Sequence, residues 1–410
     1  MPIQGLSHAD HFNTPTGRRP QNWREGIQRL GLVGGRISQA PLTQLTAAMR
    51  SAATDDPIYN WFEKPTQTRR LRVTTALTNV ATTIVFSGGN ATSLYPGLLL
   101  FSEQTNEVMR VSSITSDTQI EVTRGFAGST ATAIAISNAE NPHLIVIGSA
   151  FEENSVAPSP VGFDPTTEFN YCQIFRGTYG LSNTATKTNT RTGDEQAEQK
   201  RDCLENFSMD MERAFFFGRR SLSTVNGRPL RTTGGIIPAI QALSNVLAAP
   251  GNNLSMATLE QWSEQIFAFG SEEKMAFTGT RFITAINTLI RKNSQANFSL
   301  GPVVKEYGMN VRRLELPHGV LVLKQHPLFA VQGQVAGATW VGMTGAAVVL
   351  DMADIRYRYL TGRDVTHQKD METPGQDGKL MGFIAECGIE LTHGRKHFML
   401  TNVNAGVLDT

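Results

Sequence analysis

The chain has 410 residues, of which 40% are hydrophobic and only 18% charged, and its formal net charge is +1. That length allows two or three domains with sizeable cores, and near-neutrality argues against nucleic-acid binding as the main task, which needs a concentrated basic surface. A charged share below the usual quarter suits a surface spent on contacts with copies of itself, and equally a plain β-rich globular protein.

Three cysteines, Cys172, Cys203 and Cys387, are scattered without pairing or metal spacing, the pattern of free, buried thiols in a reducing compartment. No basic start followed by an apolar run opens the chain, and no stretch reaches the roughly 18 apolar residues of a membrane span. A soluble chain made in a cytosol is expected, with no membrane contact, no metal and no cofactor.

Residues 1–36 carry nine glycines and prolines, among them Pro2, Pro15, Pro20, Gly34 and Gly35, which break any helix. Five arginines (Arg18, Arg19, Arg24, Arg29 and Arg36) stand against Asp10 and Glu25, a net charge of +3. A basic disordered tail is one reading; an extended arm packed on a neighbouring subunit, with both chain ends held there and no scaffolding segment removed ahead of Met1, is the other and the one expected. Pro41 then opens a short helix with Leu42, Leu45, Ala48 and Met49 on one face.

Over 72–150 the pattern turns to short β runs: Thr82–Phe86, Gly97–Phe101, Glu107–Ile114, Gln119–Arg124, Thr132–Ile136 and Leu144–Gly148. Their spacing predicts a β-barrel or sandwich of about six strands. An extended region follows over Glu168–Lys187. The clearest helix is predicted to begin near Thr192, whose spacing to Glu195 is that of a capping box. Leu204, Phe207, Met211, Ala214 and Phe215 recur at helical intervals, with Gly218 at the end and Arg219 and Arg220 opposing the helix dipole.

Thr233–Pro238 reads as a turn. Ser255 caps a helix bearing Met256, Leu259, Trp262, Ile266 and Phe269, and a second helix carries Phe282, Ile286, Leu289 and Ile290. Strands are predicted at Val311–Leu316, Gly319–Lys324 and Ala346–Leu350, and a strand pair at 354–360 and 380–391 encloses a polar loop, Gly362–Lys379.

Three stretches together resemble major capsid proteins of tailed bacteriophages of the Hong Kong ninety-seven type, in the branch with an added β-domain. The first is Val122-Thr123-Arg124-Gly125-Phe126-Ala127-Gly128-Ser129-Thr130. The second runs from Asn170-Tyr171-Cys172-Gln173-Ile174-Phe175-Arg176 through the long helix to Gly218 and the Gly234-Gly235-Ile236 beyond it. The third is Ile384-Ala385-Glu386-Cys387-Gly388-Ile389-Glu390-Leu391 with Arg395–Val403. The resemblance rests on element order over most of 37–405, since shell proteins have no catalytic signature.

It implies an α+β fold: an N-terminal arm (1–65), an extended loop (66–192) carrying the β-domain (72–150), and a spine helix opening the peripheral domain (193–235). An axial domain (236–345), peripheral strands and loop (346–395) and a C-terminal tail (396–410) complete it. The implied partners are the protein itself in pentamers and hexamers, scaffolding, portal and decoration or minor capsid proteins, and packaged DNA by non-specific contact. Candidate inter-subunit residues are the basic Arg18, Arg19, Arg36, Arg69, Arg70 and Arg72, the acidic Glu195, Glu198 and Asp202 of the spine helix, and Lys369, Asp370 and Glu372 in the polar loop. Arg69, Arg70 and Arg72 read equally as solvated loop charges. No residue context selects a lysine–asparagine crosslink.

Enzymatic alternatives find little support. His393 and His397 are four apart, but Gly394 and the strand pattern oppose a helix, and the zincin glutamate is missing. Gly375–Leu380 is too short for a phosphate loop, Gly31–Gly35 follows no strand, and no nucleophile elbow occurs. An encapsulin-like compartment shell shares the implied fold and remains open, as does a β-rich carbohydrate-binding tail or fibre protein.

Overall fold

The computed structural model describes residues 51–64, 69–87, 90–136, 143–158, 160, 162, 164–188, 194–292, 304–306, 309–329 and 342–406. The predicted arm and the helix after Pro41 lie outside these residues. The described chain divides into two compact units, one formed by the segments up to Trp61 and from Phe169 onward, the other by Phe62–Glu168.

The first unit is built on two sheets. A seven-stranded mixed sheet runs in the order Val246–Ala248, Phe398–Thr401, Ala347–Leu350, Glu273–Thr278, Gly319–Gln325, Met309–Leu316, Val304–Glu306. Ala347–Leu350 and Gly319–Gln325, on either side of its central strand, read as continuous apolar runs because both faces are covered. Side chains alternate between two cores with the strand period of two. Ala276, Leu321, Leu323, Ala347, Val349, Phe398 and Leu400 face Leu259, Trp262, Phe282, Ile286 and Leu289 of the helices Met256–Ile266 and Thr280–Lys292. Met275, Phe277, Val322, Val348, Leu350 and Met399 join the other core, with Phe216, Ile236 and Phe329.

A five-stranded sheet lies against that second core. Its order is Ser51–Thr54, Ile355–Leu360, Gly378–Leu391, Gln173–Ser182, with Thr366–Gln368 also paired to Gly378–Leu391. Gln173–Ser182 and Gly378–Leu391 pair antiparallel along ten positions, from Gln173 opposite Cys387 to Ser182 opposite Gly378. On them lies the long helix Glu195–Phe217, 23 residues and so roughly 34 Å. Phe207, Met211 and Phe215 bury toward Phe175, Tyr179 and Phe383.

The helix ends differ from expectation. Thr192 lies outside the described residues, and Asp194 is the N-cap, its carboxylate accepting from the Gln196 and Ala197 N–H groups. A carboxylate satisfies two orphan donors and meets the positive end of the helix dipole, so it outcompetes a threonine two residues earlier. At the other end Gly218 is the C-cap. A Cβ there would stand 2.4 Å from the Ala214 carbonyl and 2.7 Å from that of Thr233, so only glycine fits. Arg219 and Arg220 therefore follow the helix instead of closing its last turn.

Other departures concern partners that a local pattern does not carry. Thr233–Pro238 leads into a short helix, Ile236–Ala242, and Phe269 lies beyond the helix Ser255 caps, half exposed. Ala347–Leu350 belongs to the seven-stranded sheet, between Phe398–Thr401 and Glu273–Thr278.

The second unit is a six-stranded antiparallel barrel. Its order is Arg70–Arg72, His143–Ser149, Leu98–Ser102, Val108–Ser116, Gln119–Thr123, Thr83–Val85. The bridge Val73–Phe86 joins the two outer strands and closes the ring. Leu71, Ile84, Leu100, Met109, Ile120, Val122 and Leu144 fill the interior. Closure removes the exposed edges that a small open sheet would present. The strand predicted at Thr132–Ile136 is reduced to a single bridge, Leu77–Ile134; Arg70–Arg72, earlier than the predicted start at 72, takes its place.

Candidate subunit-contact surfaces

The expected contact residues fall into four groups. Arg18, Arg19 and Arg36 lie outside the described residues. Arg70 and Arg72 sit on the first barrel strand and point outward around Leu71, which is fully buried; Arg69 precedes them, also exposed. Arg70 already has a partner within its own unit, donating to Glu103 at 2.6 Å. Both side chains of that pair are solvated, so its contribution is small, at most about 1 kcal/mol, and a neighbour could displace it.

Glu195, Glu198 and Asp202 recur three and four residues apart, which puts them on one stripe of the long helix, on the side opposite Phe207, Met211 and Phe215. Glu195 accepts from the Gln199 side chain at 3.1 Å. Lys369 and Asp370 are exposed at the turn before Gly378–Leu391, with Asp370 in the left-handed region at φ 57°. Glu372 is turned inward, accepting from the Leu380 N–H at 3.3 Å. That bond ties it to its own loop, and its side chain is half-buried.

The surface that the sequence reading passed over is the hairpin Ser221–Val225 with Arg228–Thr232. Asn226 and Gly227 both take positive φ, 52° and 74°, the backbone of a type I′ turn, and Asn-Gly between two short alternating runs is its strongest sequence signal. The hairpin is exposed over nearly its whole length, including Leu222, Val225 and Leu230, each about half exposed. Four arginines lie in or beside it (Arg219, Arg220, Arg228 and Arg231), with no acidic residue from 219 to 232. Arg220 is engaged, donating to the Phe169 carbonyl and lying 3.9 Å over the Phe169 ring; Arg219 and Arg228 are exposed.

Inside the two units, ionisable groups serve the fold. Lys274 is buried and donates to the carbonyls of Ile266, Phe269 and Lys396, at 2.7, 2.7 and 2.9 Å. Burial pushes its ammonium down to about 8. Burial likewise pushes His397 down to about 4. As a neutral ring it accepts from the Asp351 N–H and donates to the Thr392 carbonyl. The Cys172 and Cys387 thiols are pushed up to about 12, first by burial, so neither is a reactive thiolate. Among the described residues no three His, Cys, Asp or Glu side chains come together as a metal site, and no described helix is long and apolar enough to cross a membrane.

Comparison with known proteins gives this arrangement a context. The model of the SU10 major capsid protein family matches residues 36–404. A curated relative, the major capsid protein of Pseudomonas phage PaMx41, is 28% identical over 383 residues, covering 90% of this chain and 86% of the relative. Among solved structures, the capsid of an empty GTA particle aligns with 97% of this chain and 99% of its own, at 9% identity and a TM-score of 0.47. The holo-SrpI encapsulin complex of Synechococcus elongatus PCC 7942 aligns with 60% of this chain and 79% of its own, at 10% identity and a TM-score of 0.43.

Proposed function

The chain belongs to the SU10 major capsid protein family, a structural shell subunit of a tailed phage that assembles with copies of itself, and on that premise we propose how its parts build the shell. The family match along nearly the whole chain carries this reading, and it favours a viral shell over a cellular compartment or a carbohydrate-binding fibre.

In the proposed assignment, Glu195–Phe217 is the spine helix. The five-stranded sheet beneath it forms the peripheral domain, and the seven-stranded sheet with its two helices forms the axial domain. The barrel is the β-domain carried by the extended loop, and residues 1–65 are the arm. A shell subunit sums several contacts, each near the standard interface of about 1,600 Å², so its contact elements must project from the compact body. The hairpin 221–232 projects in this way. A two-stranded hairpin with both faces in water is marginal, and burying its apolar side chains on a second copy would stabilise both.

The barrel arginines Arg69, Arg70 and Arg72 are proposed to meet the acidic stripe Glu195, Glu198 and Asp202 of a neighbouring subunit, with opposite charge supporting the pairing. Arg72→Glu should lower the yield of assembled particles while leaving the subunit's melting temperature unchanged; a normal particle yield would contradict the pairing. Assembly in the host cytoplasm on a scaffolding protein, with a portal at one vertex and decoration proteins outside, completes the proposal. With a net charge of +1, contact with the packaged DNA is non-specific and loose. Co-purification of scaffolding and portal proteins with immature particles tests this part.

A further inference from the structure

We propose that Glu212 and His326 form a protonation-operated latch between the long helix and the seven-stranded sheet. Glu212 projects from the helix, and His326 directly follows the strand Gly319–Gln325. Both side chains are fully buried, and the imidazole Nε2 lies 2.9 Å from the Glu212 carboxylate. Aromatic rings wall the pair off: Phe329 stacks on the imidazole at 4.4 Å, and Phe216 and Phe277 meet it edge-on at 4.7 and 5.9 Å. The latch therefore joins the layer that carries the long helix to the layer behind it, inside one core.

The tautomer is fixed by the backbone. The Leu328 N–H donates to the imidazole Nδ1 at 3.2 Å, so Nδ1 is the acceptor and the ring's one proton sits on Nε2, donated to Glu212. His326 is itself held by its own N–H to the Thr278 carbonyl, and its carbonyl accepts from the Phe329 N–H. It thus closes the turn Pro327–Phe329, which places Phe329 against Phe216. The neutral ring accepts from the Leu328 N–H and donates to one Glu212 oxygen.

Adding a proton breaks that agreement. The only site left on the ring is Nδ1, and an Nδ1–H would point at the Leu328 N–H, two donors face to face. Relief requires the Pro327–Phe329 turn to move, which withdraws Phe329 from Phe216 and opens one wall of the box around Glu212. The imidazolium and the Glu212 carboxylate remain attracted, so the event loosens the turn before it parts helix from sheet. The other side chains meeting His326 (Phe216, Phe277 and Phe329) and the Thr278 carbonyl carry no charge. Glu212 is the charged group in contact with it from the long helix, and no charged group among the described residues touches it from the strand Glu273–Thr278 or from the turn. The device belongs to the folded subunit and stands apart from the assignment of contact surfaces.

The test is hydrogen–deuterium exchange of the full chain, read by mass spectrometry on peptides covering Glu212–Phe217 and Pro327–Phe329, between about pH 7.5 and about pH 5, the range in which histidine titrates. After correction for the intrinsic pH dependence, wild-type exchange in both peptides should rise roughly tenfold on acidification. H326Q, whose amide N–H can still reach Glu212 but takes up no proton, should show a flat profile. Exchange at the imidazole carbon in the wild-type chain gives the His326 titration directly, without a variant. A flat wild-type profile, an equal rise in H326Q, or a His326 ring that stays neutral down to global unfolding would each overturn the latch.

Discussion

Glu107 is fully buried in the barrel and accepts four hydrogen bonds through its two carboxylate oxygens: two from the Arg124 guanidinium, each 2.7 Å long, and one each from the N–H groups of Gly125 and Thr132. Arg124 spends its remaining hydrogens on the carbonyls of Thr78, Ala81 and Thr132. A buried ion pair is tolerable only when its lone pairs and protons are met in this way. Burial alone would raise the Glu107 carboxyl, but Arg124 and the two N–H groups outweigh it and hold the carboxyl below the ordinary glutamate value. The stability it contributes is therefore complete above the unfolded value near 4.5 and is lost as pH falls through the folded one. Glu107→Leu, which strands the guanidinium, should destabilise the barrel by about 3 to 5 kcal/mol, measured by urea unfolding at neutral pH. A loss under about 1 kcal/mol would mean that solvent reaches the arginine.

Elements whose own pattern repeats were legible in the sequence. The helix Met256–Ile266 carries its cap and its apolar stripe in eleven residues, and Ser255 accepts from the Thr258 N–H as its type and position suggest. The strands Gly319–Gln325 and Gly378–Leu391 announce themselves by long apolar runs. Glu273–Thr278 does not, although it lies at the centre of its sheet. Its apolar run is three residues long, and its lysine is buried only because three carbonyls from distant segments converge on the ammonium. The surroundings of the expected contact residues were less legible still, because charge says nothing about what else is near: Arg70 meets Glu103 and Glu372 meets Leu380 within the chain. The hairpin 221–232 did have a signal, Asn226-Gly227, which composition overshadowed. Excising residues 222–231 should leave the subunit's melting temperature within a few degrees of wild type and abolish assembly, followed by light scattering. Covering Leu222, Val225 and Leu230 is worth about 1 kcal/mol each per contact, repeated at every subunit, so assembly at wild-type concentrations would show that the hairpin is not a contact.

At the scale of the molecule, two units with separate cores share one chain. The barrel closes on itself, and near its chain ends the Thr166 hydroxyl donates to the Glu63 carbonyl at 3.1 Å, so its two ends meet. Residues 62–168 expressed alone should fold and unfold cooperatively; a molten fragment would show that the barrel borrows its order from the rest of the chain. The shell reading makes the most direct demand. Negative-stain microscopy with size-exclusion light scattering of the full chain, alone and with the phage's scaffolding protein, should show closed particles tens of nanometres across or rings of five and six subunits. With no covalent crosslink expected, boiling those particles should return a single 44.8 kDa chain. A 44.8 kDa monomer that stays inert with scaffolding present would contradict the account.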